Sequence, residues 1–391
     1  MLEQEGFILR GVFKTNGQRT EWCERQLLAR IHAKTLTQLR RKIKPVPLQR
    51  FIGFLLDWQG MMHTTNRPDT SALLRVISRL EGYAAPLIAW ESEIFPRRIP
   101  GYTPALLDQL SLEGTVFWAR LRNTLVSTNN DAGSRRHAMT VRNTPIAFFL
   151  RAHQSDWQPL LTSLEAVQVS GLAEAARLVL SEHGALFFDQ IRQCLDCLPT
   201  QLEQALSELV RAGLVSSDSF NGLRRLIAAG SSRQLAGARR HRRGRGTLMR
   251  LDASGRWSLL QHEGAIQEVS RQPDAYVEHV TRVLLDRYGI VFHGLLNNES
   301  RVLPPWRDLV KQLRRLEARG EIRGGRFVAG VSGEQFAVPD ALDRLRQLSD
   351  IDYLVAVSAA DVLNLTGMLG TGARVPRHTA GRILYLSLIH I

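Results

Sequence analysis

Cysteine is scarce in this sequence, and its scarcity excludes a disulfide framework. Only Cys23, Cys194 and Cys197 occur among 391 residues, an odd and low number that is typical of a reducing compartment. The first residues, MLEQEGFILRG, lack the basic start and the apolar run of a signal peptide. No apolar run approaches the roughly 18 residues that a membrane-spanning helix needs. We therefore expect a soluble, cytoplasmic protein without a membrane partner.

Lysine is scarce as well, and a phosphate-binding P-loop is absent. The motif GxxxxGK[ST] requires a lysine directly after a glycine, and none of the five lysines follows one. The histidines show no HxxxH or HExxH spacing, and no Ser-His-Asp set is evident. Cys194 and Cys197 form a CxxC late in an amphipathic helix, where the core-residue interpretation is favoured over a zinc or redox pair. We expect no catalytic residue, metal or cofactor in this chain.

What the sequence has in excess is positive charge. Its 51 basic residues outnumber 37 acidic ones, which gives a formal net charge of +14 and indicates a polyanionic partner, nucleic acid first. The segment GARRHRRGRG, residues 237–246, has no apolar periodicity and is interpreted as a mobile loop that adds salt-sensitive, non-specific affinity. The run ARIHAKTLTQLRRKIK, which contains Arg40 and Arg41, fits phosphate contacts and a solvated helix face about equally well.

An internal repeat defines the predicted architecture. LAEAARLVLSEHG, ALFF, DQIRQCLDCL and PTQLEQALSELVRAG read as helix, strand, helix, helix, and LVSSDSFNGLRRLI reads as the hairpin of a winged helix. AYVEHVTRVLLDRYG, IVFH, LPPWRDLVKQLRRLEARG and EIRGGRFVAGVSGEQFAV repeat that order about a hundred residues later. The segment after Arg346 becomes β-rich. The predicted fold class is α+β, with tandem winged-helix units and a small C-terminal β-sheet or barrel.

The N-terminal residues read as the end of a further winged helix, with wing arginines Arg10 and Arg19 placed to contact a nucleic-acid backbone. Because such a unit needs its first helices, we expect the chain to be a fragment, and LSLIHI at the end to be non-native. The predicted boundaries are 1–65 for the truncated winged helix, 66–165 for a helical linker region, 166–232 for a winged helix, 233–250 for a basic loop, 251–346 for a second winged-helix-like unit, 347–385 for a β-rich segment and 386–391 for the tail.

One tryptophan stands beside arginines. In the predicted strand TVFWARLRN, Trp118 shares a face with Arg120, and Arg122 follows, so the indole is a candidate platform for stacking a base. A half-buried core position is the alternative, and from the residues alone it is the more common outcome.

Several strings resemble one family. LLARIHAKTLTQLRRKIKPV, AAPLIAWESEIFPRRIPGY, RGGRFVAGVSGEQFA, SAADVLNL and GRILY look like the large helicase-related (Lhr) proteins, which are bacterial superfamily 2 DNA helicases. The resemblance covers the chain up to Tyr385. It implies a parent with two RecA-like motor domains, absent from this chain, that bind ATP and Mg²⁺ and drive 3′-to-5′ unwinding of DNA or RNA:DNA duplexes in DNA repair.

The resemblance also implies roles for single residues and partners. Trp118 is the best match to the tryptophan that stacks on the tracking single strand, Trp90 is the second choice, and Ile52 is the match to an aliphatic wedge. The implied partners are single-stranded DNA, DNA or RNA:DNA duplex, and the upstream RecA-like domains, and the chain alone is expected to be inactive as an ATPase. Two alternatives stay open: a winged-helix DNA glycosylase, although no QxQ motif occurs, and a non-catalytic winged-helix binding module.

Overall fold

The computed structural model describes residues 2–13, 19–41, 43–62, 67–121, 140–161, 168–236, 255–260, 273–348, 354–369, 372–377 and 381–386. Within these ranges helices alternate with short strands, which form two- and three-stranded sheets. The α+β class is confirmed. The first elements are a hairpin of β1 (Ile8–Gly11) and β2 (Glu21–Glu24), followed by helices α1 (Arg25–Arg41) and α2 (Leu48–Trp58).

Three units of winged-helix topology occur among the described residues, and one of them lies where no winged helix was predicted. Unit A, between residues 70 and 150, falls in the region 66–165 that was predicted to be a helical linker with the strand that carries Trp118. Its elements are α3 (Thr70–Arg79), β3 (Ala85–Pro86), a helical stretch of α4 (Leu87–Ala89), a π-helical turn (Trp90–Ile94) and α5 (Phe95–Arg98), then α6 (Pro104–Leu112), β4 (Val116–Ala119) and β5 (Pro145–Leu150). A 3₁₀ turn (Val141–Asn143) precedes β5.

A connecting segment follows, and then unit B. The connection holds a 3₁₀ turn (Arg151–His153) and α7 (Gln154–Leu161). The elements of unit B are α8 (Gly171–His183), β6 (Leu186–Phe187), α9 (Phe188–Leu195), α10 (Pro199–Ala212), β7 (Val215–Ser217), α11 (Asn221–Ala236) and β8 (Arg256–Leu259).

Unit C and a closing strand pair complete the chain. The elements are α12 (Pro273–Tyr288), β9 (Ile290–Phe292), α13 (His293–Leu296), α14 (Trp306–Ala318), β10 (Arg323–Gly325), β11 (Gln335–Ala337), α15 (Pro339–Gln347), β12 (Leu354–Ser358) and β13 (Arg382–Leu386). β12 and β13 pair with each other, so the described part of the predicted C-terminal sheet or barrel is a two-stranded sheet.

The three units share one sheet topology. The strand orders are β3-β5-β4, β6-β8-β7 and β9-β11-β10, so the last strand of each unit lies in the middle. Glycines with φ between +66° and +79° mark the same two places in each unit: Gly82, Gly184 and Gly289 before the first strand, and Gly114, Gly213 and Gly320 after the third helix. Only glycine adopts this conformation without strain, so the repeated positions punctuate the repeated fold.

The returning strand of unit B comes later than predicted. LVSSDSFNGLRRLI does not form a hairpin, because Phe220, Leu223 and Leu226 recur at helical spacing and bury one face of α11. The strand that pairs with β7 is β8, which the predicted boundaries assigned to the next unit. Asp218 joins the two ends: its carboxylate accepts hydrogen bonds from the Arg256 backbone (2.6 Å) and side chain (2.9 Å).

The units pack against one another around a shared core. Ser216 of unit B donates a hydrogen bond to the Trp118 carbonyl of unit A (2.6 Å). The segment after β12 closes on unit A, where Asp361 binds Arg98 with both carboxylate oxygens (2.6 and 2.9 Å), and each side chain is only 2% exposed. In the part of the chain that the structure describes, no helix is long and apolar enough to span a membrane.

Candidate nucleic-acid interface

The third helix of unit C presents a basic outer face. In α14, the apolar residues Leu309, Leu313 and Leu316 recur at helical spacing and are buried. The cations lie on the opposite side, where the exposed fractions of their side chains are 83% for Arg307, 69% for Lys311, 62% for Arg314 and 54% for Arg315. In winged-helix and helix-turn-helix proteins, this helix is the one that enters a DNA groove.

The matching helices of units A and B are not basic. α6 (PALLDQLSL) contains no cation and one carboxylate, Asp108. α10 (PTQLEQALSELVRA) contains Arg211 alone, against Glu203 and Glu208. The three units share a topology but differ in the charge of the third helix. Of α6, α10 and α14, only α14 has a charge that suits contact with a phosphate backbone.

The wing of unit C extends this surface. Arg323 and Arg326 are exposed on the wing, and the backbone of Val46 forms hydrogen bonds with Phe327 and Ala329, both 2.8 Å long. This pairing brings Ile43 and Pro45 against the wing, where both line a groove of about 640 Å³ together with Arg326, and the exposed Lys44 lies between them in sequence. We call the exposed cations of α14, Arg323, Arg326 and Lys44 together the basic face.

Carboxylates accompany several of these cations. Lys311 binds Asp308 at 3.0 Å, Arg314 binds Glu334 at 2.7 Å and Arg315 binds Asp274 at 3.0 Å. The hydrogen bond from Lys311 lowers the pKa of Asp308, which therefore stays ionised. Exposed pairs of this kind contribute only about 0–1 kcal/mol each and are screened by salt, so a phosphate can replace the carboxylate at little cost.

Arg40 reaches this region but serves the fold. Its guanidinium binds the nearly buried Glu317 with two hydrogen bonds of 3.2 and 2.5 Å, and Glu317 also accepts the Gly324 amide (3.0 Å). This bidentate pair joins α1 to α14, and the Gly324 amide links Glu317 to the wing. A phosphate contact by Arg40, as predicted, would therefore compete with a nearly buried carboxylate. The side chain of Arg41 lies outside the described residues.

Trp118 is not where the sequence pattern placed it. The predicted exposed face is wrong: all four residues of β4 are buried, and Trp118 is 2% exposed. Its ring meets Trp257 of unit B edge-on, with centroids 6.3 Å apart, because β4 packs against unit B rather than facing solvent. Arg120 is half-buried and has bonding partners, and Arg122 lies outside the described residues. Trp90 is fully buried too.

Trp22 is the exposed tryptophan, although no pattern in the sequence singles it out. It is 57% exposed on β2, opposite Arg10, whose guanidinium lies 5.7 Å from the indole centroid. Arg19 is exposed two positions before the start of β2.

Ile52, the predicted wedge, is half-buried on α2 and packs against the core. The predicted residues therefore do not form one site.

One group among the described residues has the composition of a metal site. A ligand atom from each of Glu81, His153 and His279 lies within 4.8 Å of the others. Glu81 is 1% exposed, and burial lowers the pKa of His279 despite the opposing effects of Glu81 and Asp156. No local sequence motif marks this group, because Glu81 and His153 are 72 positions apart. The CxxC cysteines are free and, contrary to the core interpretation, Cys194 is exposed. The run GARRHRRGRG lies outside the described residues.

Comparison with known proteins gives two family matches and two similar curated proteins. Two models with the description "Large helicase-related protein, winged-helix domain" match residues 46–149, which include unit A, and residues 270–353, which include unit C. The "Lhr helicase/ probable uracil glycosylase" of Mycolicibacterium smegmatis is 30% identical over 403 residues, 97% of this chain and 25% of that protein. The "Lhr helicase/uracil glycosylase" of Escherichia coli is 28% identical over 99% of this chain and 26% of its own length. The chain thus spans about a quarter of these relatives.

Proposed function

We propose that this chain is the nucleic-acid-binding part of an ATP-dependent helicase, because it belongs to the large helicase-related family and carries winged-helix domains of that family. We further propose that the basic face of unit C contacts the phosphate backbone. The observation that carries the proposal is the contrast among three units of one topology, of which unit C alone has a basic third helix. A charge difference on a shared scaffold is not required for folding, so it points to a ligand.

The chemistry of the basic face suits contacts that do not depend on base sequence. Long, exposed arginine and lysine side chains neutralise phosphates and release counterions, which makes the affinity fall steeply with salt. The proposed partners are single-stranded DNA and DNA or RNA:DNA duplex. Trp22, exposed beside Arg10, is proposed as an additional stacking surface, since aromatic rings stack on any base.

The test is a triple substitution with a charge-matched control. Arg307→Ala, Lys311→Ala and Arg314→Ala remove three cations from α14. Arg177→Ala, Arg192→Ala and Arg346→Ala remove three partly exposed cations elsewhere, each of which pairs with a carboxylate three positions away, as Lys311 does. We expect the first set to reduce the slope of log K against log salt by about 2–3, and the control set to leave it nearly unchanged.

Fluorescence anisotropy with labelled single strands and duplexes at several salt concentrations measures these slopes. Circular dichroism first establishes that both triple variants fold. Equal affinities and slopes for the two sets would contradict the proposed interface, because both lose the same charge.

In the full-length protein, we propose that this surface holds the strand while RecA-like domains, with ATP and Mg²⁺, drive translocation from 3′ to 5′. The same triple substitution is then expected to raise the number of ATP molecules hydrolysed per base pair unwound, with the control set unaffected. An unchanged ratio would leave DNA binding by the basic face intact as a proposal but would remove its role in coupling.

The second candidate function is base excision, which the names of both relatives favour. The chain lacks the QxQ motif of winged-helix glycosylases, since no two glutamines are two residues apart. We therefore expect no uracil release when the chain is incubated with uracil-containing DNA. Alkali-labile strand breaks in that assay would favour the second function instead.

A further inference from the structure

We propose that Glu81, His153 and His279 form a binding site for a divalent transition metal of the zinc class, which fastens unit A to unit C. The three residues come from separate elements. Glu81 follows α3 in unit A, His153 lies in the 3₁₀ turn after β5, and His279 lies on α12 of unit C. A metal bound here would connect elements that no covalent link other than the main chain joins.

The distances suit a tetrahedral ion. The Glu81 Oε2 and His153 Nδ1 atoms are 2.9 Å apart, and one ligand atom from each of the three residues lies within 4.8 Å of the others. Two ligands that each lie about 2.1 Å from a tetrahedral zinc are about 3.4 Å from each other. The Glu81–His153 distance is shorter than this value and the other two distances are at most 4.8 Å, so small side-chain rotations would complete the coordination.

His279 provides a nitrogen atom that the fold leaves unused. Its Nε2 is buried and has no hydrogen-bond partner among the described residues. Its other ring nitrogen, Nδ1, lies 3.7 Å from the Asp156 carboxylate. In metal-bound histidines a carboxylate commonly orients the ring through one nitrogen while the other nitrogen binds the metal. The 3.7 Å separation is longer than a hydrogen bond, and a small movement of Asp156 would close it. A buried nitrogen without a partner costs about 1–3 kcal/mol, which a metal bond would offset.

Glu81 is held in position by neighbours that are not ligands. Its Oε1 accepts hydrogen bonds from the Leu150 amide and from Trp157 Nε1, both 3.0 Å long, which leaves Oε2 directed toward His153. Glu81 is 1% exposed, whereas the His153 side chain is 37% exposed. The site is therefore rigid on the inner side and open to solvent at His153, which gives an ion a route of entry.

The set of ligands selects the class of metal. Two imidazoles and one carboxylate are typical of zinc, and Co²⁺ and Ni²⁺ use the same donors. Mg²⁺ and Ca²⁺ require mainly oxygen ligands and are not expected to bind. A water molecule would supply the fourth position, since Asp156 lies at the other ring nitrogen of His279.

The experiment measures Zn²⁺ binding to the chain after removal of metal with a chelator. We expect one Zn²⁺ per chain and, with Co²⁺, the visible absorption of a tetrahedral complex. Zn²⁺ should raise the melting temperature and a chelator should reverse the rise, because the metal binds only the folded state. Asp156→Asn is expected to weaken binding by about 10–100-fold, and His153→Gln and His279→Gln by more.

Two controls distinguish this site from other ligands. His183→Gln removes an exposed histidine on α8, and Cys194→Ser with Cys197→Ser removes the CxxC pair; both should bind Zn²⁺ as the unmodified chain does. Because His153 is partly exposed, His153→Gln tests the site without disturbing the core. Equal Zn²⁺ affinity in the unmodified chain and in His153→Gln would overturn the proposal, as would binding that is lost only with the cysteines.

Discussion

At the scale of single residues, burial separates two tryptophans that look alike in sequence. Trp22 and Trp118 both lie in short strands with arginines nearby, but Trp22 is 57% exposed and Trp118 is 2% exposed. Alternation along a strand predicts which residues share a face, but it does not predict whether a second unit covers that face. Unit B covers Trp118, and no pattern local to the strand indicates this.

Trp118→Ala is therefore expected to lower the stability of the chain. Removal of a fully buried tryptophan that contacts Trp257 leaves a cavity and should reduce the free energy of unfolding by about 3–5 kcal/mol. Trp22→Ala is the matched control, with an expected change within about 0.5 kcal/mol because the residue is exposed. Urea unfolding followed by circular dichroism measures both. A Trp118→Ala protein as stable as the control would contradict the proposed contribution of the Trp118 ring to packing between units A and B.

At the scale of the elements, the sequence predicted the first helix, the first strand and the third helix of units B and C, because their helical periodicity is strong and both copies carry the same glycines. It did not predict α11, which separates β7 from β8 in unit B. Unit A shows the same punctuation at Gly82 and Gly114, but its second helix is interrupted by a π-helical turn and its strand β3 has two residues. These irregularities concealed the repeat. The charge contrast between α10 and α14 was readable from the repeat alone.

An ion-pair network on α12 predicts how the stability of unit C depends on pH. Hydrogen bonds from Arg282 lower the pKa of both Glu278 and Glu321 below the ordinary value of 4.5. A carboxylate with a lowered pKa in the folded state stabilises that state above its unfolded pKa, and the effect disappears as the pH falls through the folded-state value. Arg282→Ala should thus lower the melting temperature at pH 7, and the difference should shrink below pH 4.5. A difference independent of pH would assign the effect to packing of the arginine stem.

At the scale of the whole molecule, contacts between distant segments join the units, and a sequence alone does not indicate such contacts. Arg98 and Asp361 are 263 positions apart, yet they form a buried ion pair between unit A and the closing segment. The string SAADVLNL, residues 358–365, is one of those that resemble the large helicase-related family. Its physical role here is to carry Asp361 to Arg98 and to place the Ala360 carbonyl where Tyr83 donates a hydrogen bond of 2.9 Å.

Asp361→Asn should disrupt this closure. Loss of the carboxylate charge leaves a buried guanidinium uncompensated, which typically costs about 3–5 kcal/mol. Asp343→Asn is the control, since Asp343 pairs with Arg346 on the surface at 3.5 Å and its loss should change stability by less than about 0.5 kcal/mol. Thermal unfolding of both variants gives the comparison. Equal melting temperatures would contradict a structural role for the Arg98 pair.

The late position of β8 has a consequence for synthesis. The Asp218 carboxylate, directly after β7, emerges from the ribosome 38 positions before its partner Arg256, the first residue of β8. At about 5–20 residues per second, the sheet of unit B waits roughly 2–8 seconds for its middle strand. During that interval the edge of β7, and the Trp118 ring that unit B later covers, are open to chaperones or to neighbouring chains.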